Sequence, residues 1–352
     1  SWKDRRSEHY FINGSSALEF LSENIPDLVL KRTGMPLRSG LPSVNMFVLN
    51  STEGINSEMV FGTIADYIVS KLTKTGMATS LTNAAGSGLF NLEDMEWNYE
   101  LVGILGMNAN ILPRLIQGGI KQPVGLYRGI DVFVPIGDQQ AAVYGLEEEL
   151  STNVICNIAT GSQATVVSKH LKFGQNFQTR PFVNESYLLT IPFIPAGRVV
   201  NSLVTFFESI SNELLGNSFS HSDIWVFLSQ YINSLELTGS TDEELLVNTD
   251  FIGSFSNAGG SILQITENNF FLKDLVLGFF KDIVTNHLKA IEHLSKANDI
   301  SSITLSGGIS QKLQIIKKLF KMNSDLPVNL SVVGEDSLNG LRMLLCNKVH
   351  SW

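Results

Sequence analysis

The sequence predicts an α/β protein of two domains, and three observations carry that reading. The chain has 352 residues, enough to build two hydrophobic cores. Hydrophobic residues make up 43% of it and charged residues 17%, the balance of a globular chain. Twice, at residues 132–145 and 303–320, an apolar β-branched run gives way to a glycine turn and then to a helical pattern.

The chain is organised around residues 132–145, VFVPIGDQQAAVYG. Val132, Phe133 and Val134 favour extended backbone, and Pro135 fits only at the end of a strand. Gly137 permits a sharp turn, so Asp138 is expected at the carboxyl end of a strand and the start of a helix, where open α/β sheets bind ligands. An acid there can accept the proton of a substrate hydroxyl, and Gln139 and Gln140 can hold other hydroxyls. A helix N-cap is the other use of such an acid. Ala141, Ala142 and Gly145 keep the helix slim enough for close packing on a neighbour.

The remaining elements follow in chain order. Trp2, Asp4 and Arg6 alternate in the opening SWKDRR, and residues 17–24 form a short amphipathic helix that Pro26 ends. Residues 31–40 read as a loop broken by Gly34 and Pro36. Residues 61–72 read as a buried helix with Asp66 and Lys71 on its wet side. In residues 81–98 small residues lead to Leu89 and Phe90 and then to an acidic helix start. Residues 153–168 form a hairpin around Ala159-Thr160-Gly161-Ser162, a turn that either simply reverses the chain or aims N–H groups and hydroxyls at an anion. A buried strand, a turn at residues 195–198 and a helix fill 188–208. Residues 216–244 read as an insertion or lid, and 251–265, rich in Gly and Ser, as a long loop. Residues 275–294 are the clearest helix, and its His287 and His293 lack partners at metal-ligand spacing. Gly307-Gly308 before the last helical pattern suits a flat, polar ligand pressed on backbone, although this is neither a P-loop nor GxGxxG.

Composition excludes several classes. A net charge of −9 with no basic stripe argues against nucleic acid. No apolar run reaches membrane-spanning length, and the N-terminus has no secretory apolar core. Two cysteines, Cys156 and Cys346, make neither a disulfide framework nor a metal cage, so a reducing cytoplasm is expected.

Four segments in this order resemble the FGGY family of carbohydrate kinases. Trp2-Lys3-Asp4-Arg5-Arg6 is similar to the family's Trp-x-Asp-x-Arg segment, and TNAAGSGLFN to the segment ahead of its interdomain region. IGDQQAAVYG is similar to its most recognisable motif, and LSGGISQK to its adenosine motif. Within the family the chain most resembles the sedoheptulokinase branch, through NIATGSQATVVS, the RPFVNESYLL run and GSFSNAGGSI. Glycerol kinase and xylulokinase share the GDQQ/GD motif and stay open as alternatives.

The resemblance implies two ribonuclease-H-like domains of the actin and hexokinase superfamily with ATP and sugar in the cleft between them. It divides the chain into a sugar-binding N-terminal domain, residues 1–149, and a nucleotide-binding C-terminal domain, residues 150–352. It makes Asp138 the general base and assigns Gln139, Trp2, Asp4 and Arg6 to the sugar. It assigns Thr160, Gly161, Gly197, Gly307, Gly308 and Lys312 to the nucleotide. The partners implied are a small sugar and ATP with Mg²⁺, and the activity is phosphorylation of a small ketose, sedoheptulose before xylulose or glycerol. Three departures qualify this. The family's opening Asp-x-Gly-Thr strand-turn and substrate loop are absent, so the first domain is expected to be N-terminally truncated, and a catalytically inactive sugar- or nucleotide-binding fragment is the alternative. Lys312 stands where the family usually has Asn, and Ala196 where a second glycine is common.

Overall fold

The computed structural model describes residues 3–56, 58–117, 123–146, 150–216, 218–237, 244–250, 259–331 and 335–347. Trp2 and residues 251–258, which include part of the GSFSNAGGSI run, lie outside the described residues, as do 238–243. The chain forms two compact units. One comprises Ser1–Glu147, Val167–Leu189 and Val333–Trp352; the other comprises Glu148–Val166 and Thr190–Val332. A single division at 149/150 therefore omits two later stretches that pack with the first unit.

One six-stranded sheet carries β1 Asn153–Asn157, β2 Ser162–Ser168, β3 Gln178–Phe182, β4 Ser186–Ile194, β5 Ser302–Ser306 and β6 Val328–Leu330, in the order β3-β4-β2-β1-β5-β6. The β1–β2 pair is antiparallel, with Ala164 opposite Cys156, as the hairpin reading expects. β5 runs parallel to both β1 and β6, the arrangement of a ribonuclease-H-like domain. β1 and β5 are covered on both faces, which is why they read as unbroken apolar runs: Val154, Cys156, Ile303 and Leu305 are fully buried. Their polar members are paired, Asn153 Nδ2 donating to Thr304 Oγ1 at 2.9 Å. Burial pushes the Cys156 thiol up to about 12.

In the second unit the helix Leu272–Ser295 presents Val276, Phe280, Ile283, Val284, His287, Ile291 and Leu294 to the core at helical spacing. His287 is fully buried, its Nδ1 donates to the Ile283 carbonyl at 2.7 Å, and its ring meets Phe320 edge-on. Burial drives its pKa down to about 4, so it sits in the core as a neutral ring. The stretch 216–244, read as an insertion or lid, holds where described a packed helix, His221–Ser234. Ser220 and Asp223 close a capping box at its start, and Ile224, Leu228 and Ile232 are buried. Of the polar ends, Ser220 and Asp223 are cap residues, and 238–243 lie outside the described residues.

The first unit is mostly helical, and its remaining strands pair two at a time. Ala78–Ser80 lies parallel to Arg114–Ile116, and Gly125–Tyr127 forms a hairpin with Ile130–Val132. Ser16 and Glu19 cap the helix Ala17–Asn24, which ends before Pro26. Three expectations fail here. The strand before Asp138 ends at Val132, so residues 133–137 approach the helix without ladder partners. Glu93 and Asp94 sit in a hairpin turn closed by Asn91 Oδ1, and the next helix, Tyr99–Ile104, begins only after Asn98 caps it. The helix in 61–72, Ile64–Thr73, has the opposite polarity to the one expected. Asp66 is 1% exposed and accepts from Thr63 N–H, Thr63 Oγ1 and Thr79 Oγ1, while Ile64, Tyr67, Ile68 and Leu72 face outward. A buried capping box outweighed the apolar stripe.

The helix Asp138–Tyr144 is seated on a second helix, Asp336–Asn347, through glycine. A Cβ at Gly340 would overlap the Ala141 carbonyl and stand 3.1 Å from Gly145 N, and one at Gly145 would stand 2.6 Å from Gly340 N. Asn339 Nδ2 donates to the Gly145 carbonyl at 2.6 Å. The small residues Ala141 and Gly145 do provide the close packing that the sequence suggests.

Candidate functional site

Each unit carries one candidate site. In the first unit Asp138 opens the helix Asp138–Tyr144 with its carboxylate exposed, and its Oδ1 accepts the Gln139 N–H at 2.7 Å. The segment leading into it is fixed by the TNAA stretch: Gly137 N–H donates to Thr82 Oγ1 at 3.0 Å and Asn83 Nδ2 to the Pro135 carbonyl at 3.3 Å. Gln139 and Gln140 are buried. Gln140 Nε2 donates to the Pro181 carbonyl at 3.2 Å, while Gln139 Oε1 accepts from Arg180 Nη1 at 3.0 Å.

Arg180 stands on β3, within the RPFVNESYLL run. Its Nη2 donates to Gln178 Oε1 at 2.9 Å. Burial lowers its pKa to about 10, the Arg38 charge acts in the same direction, and the Asp138 carboxylate opposes both. The group thus remains a cation at neutral pH. No local pattern marks it, because its partner Gln139 is 41 positions away.

Asp4 and Arg6 pair with each other. Arg6 Nε donates to both Asp4 carboxylate oxygens, at 3.1 and 3.0 Å, and Nη2 adds a bond of 2.7 Å. With the Arg6 backbone N–H also donating, the Asp4 carboxyl is held down to about 2. The segment is docked by Ser39, whose Oγ donates to the Asp4 carbonyl at 3.1 Å and bonds Ser7 Oγ at 2.9 Å. The neighbouring Arg38 feels the charge of Arg5 and itself acts on Arg180. Asp4 and Arg6 thus form one bonded pair, and Asp138 and Gln139 lie with Arg180 in the same unit, while Trp2 lies outside the described residues.

The second unit holds a cavity of about 790 Å³, within the range of small-molecule sites. Thr160, Gly197, Gly308 and Lys312 line it, as do Arg198, Asn201, Ser202 and Trp225, none of which the sequence singled out. Gly161 and Gly307 lie beside this lining rather than in it. Gly307 has φ +89°, and a Cβ there would stand 2.6 Å from the Ile158 carbonyl oxygen. Gly197 donates its N–H to the Ala159 carbonyl at 3.0 Å, and a Cβ on it would come within 2.7 Å of Thr160 Cα. A Cβ on Gly308 would meet open space, leaving a flat wall.

The charge in this cavity is one-sided. Among the described residues Arg198 and Lys312 line it and no carboxylate does, and the 13-residue helix Gly197–Ser209 turns its N-terminus, which no side chain caps, to the same place. Trp225 adds an aromatic face from the helix His221–Ser234. That helix is fixed by Asn233, which donates to the Lys312 carbonyl at 3.1 Å and accepts the Gln314 N–H at 3.0 Å. His221 bridges Glu208 and the cavity residue Asn201, at 3.1 Å to each. An anion bearing a flat ring fits these groups.

Among the described residues no group of three or more His, Cys, Asp or Glu could hold a metal ion, and no helix is long and apolar enough to cross a membrane.

Comparison with known proteins gives a consistent result. The family model for the N-terminal domain of the FGGY family of carbohydrate kinases matches residues 1–145. The glycerol kinase of Parabacteroides distasonis is 29% identical over 156 residues, covering 41% of this chain, and the chain spans only 30% of that relative's length. Among solved structures, the gluconate kinase of Lactobacillus acidophilus aligns with 99% of this chain and 70% of its own, at TM-score 0.78 and 18% identity. The Plasmodium falciparum glycerol kinase with ADP aligns with 98% of this chain and 70% of its own, at TM-score 0.78 and 17% identity. These likenesses show that the chain shares the fold of those two kinases. Residues 1–145, which carry the motif helix and its TNAA support, match the N-terminal domain of the FGGY family of carbohydrate kinases, and nearly the whole chain shares the fold of solved gluconate and glycerol kinases.

Proposed function

We propose that the chain is the greater part of an ATP-dependent kinase that phosphorylates a small polyol, with sedoheptulose as the substrate and sedoheptulose 7-phosphate as the product. The observation that carries the kinase reading is the second unit's cavity, where two cations, a helix N-terminus and Trp225 converge with no acid among them. That combination suits the phosphates and ring of a nucleotide. Asp138 supplies the complementary chemistry. Exposed and held by its own helix, it takes the proton of the accepting hydroxyl as that oxygen attacks the γ-phosphorus. Gln139, with Asp4 and Arg6, binds the remaining hydroxyls. Thr160 and Gly161 face the phosphates, Gly197 lies near the nucleotide, Gly307 shapes the turn that presents Gly308 to the adenosine, and Lys312 reaches a phosphate.

Mg²⁺ would enter on the nucleotide phosphates, as it does where a protein offers only one or two carboxylates. The described residues form no cage of their own for it, so no step above runs through the ion. The free thiols of Cys156 and Cys346 agree with a cytoplasmic setting.

Glycerol is the second reading, because relatives matched in sequence, such as that of Parabacteroides distasonis, are glycerol kinases. ADP release with Mg-ATP across sedoheptulose, xylulose, ribulose, glycerol and gluconate separates the candidates, since a site that pairs buried hydroxyls rejects analogues lacking them. Asp138→Asn should lower kcat by about 10²–10⁴-fold and leave sugar binding intact. Undiminished turnover in that variant removes Asp138 as the base. Thermal stabilisation by ATP without turnover on any polyol overturns the kinase reading in favour of a nucleotide-binding protein.

A further inference from the structure

We propose that Arg180 is a positioning residue for the first unit's site: its guanidinium fixes the plane of the Gln139 amide beside Asp138, so that Gln139 meets a polyol oxygen as a hydrogen-bond donor. The proposal rests on the reading of Gln139 as a sugar contact, and it adds the residue that sets the polarity of that contact.

A guanidinium carries donors only, so an amide facing it must present oxygen. Arg180 Nη1 faces Gln139 at 3.0 Å and Nη2 faces Gln178 at 2.9 Å, so both side-chain amides turn Oε1 toward the cation. Flipping Gln139 would set its NH₂ group against an N–H of Arg180. The planar amide therefore directs Nε2 away from Arg180, and the donor character of Gln139 toward a ligand is imposed from behind. Gln139 is 7% exposed and Gln178 1%, so water has little access to loosen either bond. Asp138 fixes the same residue from the other side through the Gln139 backbone N–H, at 2.7 Å. Side chain and backbone of Gln139 are thus both held, one by a cation and one by the carboxylate assigned as base.

A purely structural role accounts poorly for the arrangement. Both hydrogen bonds go to neutral amides, Arg180 Nε is buried without a partner, and a second cation, Arg38, acts on the same group. Burying a cation on such terms costs stability, and an apolar residue of similar size fills the same space more cheaply. What the cation provides is a direction for Gln139.

Four variants test this: Arg180→Met, Arg180→Lys, Gln139→Leu and the double variant Arg180→Met/Gln139→Leu. For the polyol that the intact chain turns over, Arg180→Met should raise KM about tenfold, the worth of one oriented hydrogen bond, and leave KM for ATP within about twofold. Arg180→Lys keeps a donor facing Oε1 and should recover most of the loss. The double variant should be no worse than Gln139→Leu alone, because the two residues act through one contact. Equal rises in both KM values, or additive effects in the double variant, overturn the proposal. A second measurement does not depend on turnover. The Gln139 side-chain ¹⁵N–H pair, identified by its loss in Gln139→Leu, should move toward the free-glutamine position in Arg180→Met and stay in place in Arg180→Lys. An unmoved pair in Arg180→Met overturns the proposal even where the intact chain phosphorylates nothing, whereas a moved pair in a silent chain leaves it standing and removes only the kinase reading.

Discussion

The two units seat their candidate sites in the same way and charge them in opposite ways. In the first, a helix is pressed on another helix through Gly145 and Gly340; in the second, helix starts are pressed on the Ala159–Thr160 turn and the Ile158 carbonyl through Gly197 and Gly307. Backbone touches backbone in both, which fixes position without relying on flexible side chains. Above that common base the charges are reversed. The first unit exposes an acid, Asp138, over a buried cation, Arg180, whereas the second exposes the cations Arg198 and Lys312 with no acid in the cavity lining. One arrangement suits taking a proton and the other suits holding an anion.

The contrast extends into the cores. The first unit gives its buried guanidinium, Arg180, two amide oxygens, whereas in the second burial keeps His287 neutral against the opposing pull of the Ile283 carbonyl.

Three changes break or sharpen this comparison, and the largest attacks the seat itself. Gly340→Ala places a methyl group on the Ala141 carbonyl and forces the two helices apart. It should cost about 3 kcal/mol in urea unfolding. A loss below about 0.5 kcal/mol would mean that the first unit is held by side chains after all.

The second concerns charge in the core. His287 has a folded pKa of about 4 against an ordinary value of 6.5, so below pH 6.5 the unfolded chain takes up a proton that the folded one refuses. Stability attributable to this residue is complete above pH 6.5 and falls as the pH drops toward 4. Between pH 7 and pH 5 the decline should be about 2 kcal/mol. His287→Met should remove that share of the pH dependence, and an unchanged acid limb would show that the ring is not neutral in the core.

The smallest change acts on the ligand and spares the seat. A methyl group on Gly308 meets open space, so Gly308→Ala should leave the melting temperature unchanged while weakening ATP binding about threefold by calorimetry. Equal affinity would mean that the nucleotide does not lie on that wall.

Much of this was legible in the sequence where a residue type has one steric use. Gly137, Gly197, Gly307 and Gly308 marked the turns, and the helical period of 275–294 marked the helix Leu272–Ser295. What was not legible depended on distant partners. The apolar stripe of Ile64, Tyr67, Ile68 and Leu72 has a clear period, but a period cannot say which side is packed. That was decided by Thr79, on another element, which completes the partners of Asp66. Arg180 and Trp225 stand in segments that look ordinary, and become site residues only when Gln139 and the glycine wall are brought beside them. The strand before Asp138 was overextended because β-branched residues favour extended backbone whether or not a ladder partner exists.

The helix that seats Asp138 comes from the far end of the chain, with Asn339 bonded to a residue 194 positions earlier. During synthesis the Asp138 helix therefore leaves the ribosome long before its support exists. Until residues 336–347 emerge, Ala141 and Gly145 present a bare, small-residue face, and residues 148–332 of the second unit are available first. Closure over so many residues is slow relative to local helix formation. The cavity of the second unit can thus be complete while the proposed proton acceptor still waits for its support, and removal of the helix Asp336–Asn347 should unseat Asp138 without touching the segment that contains it.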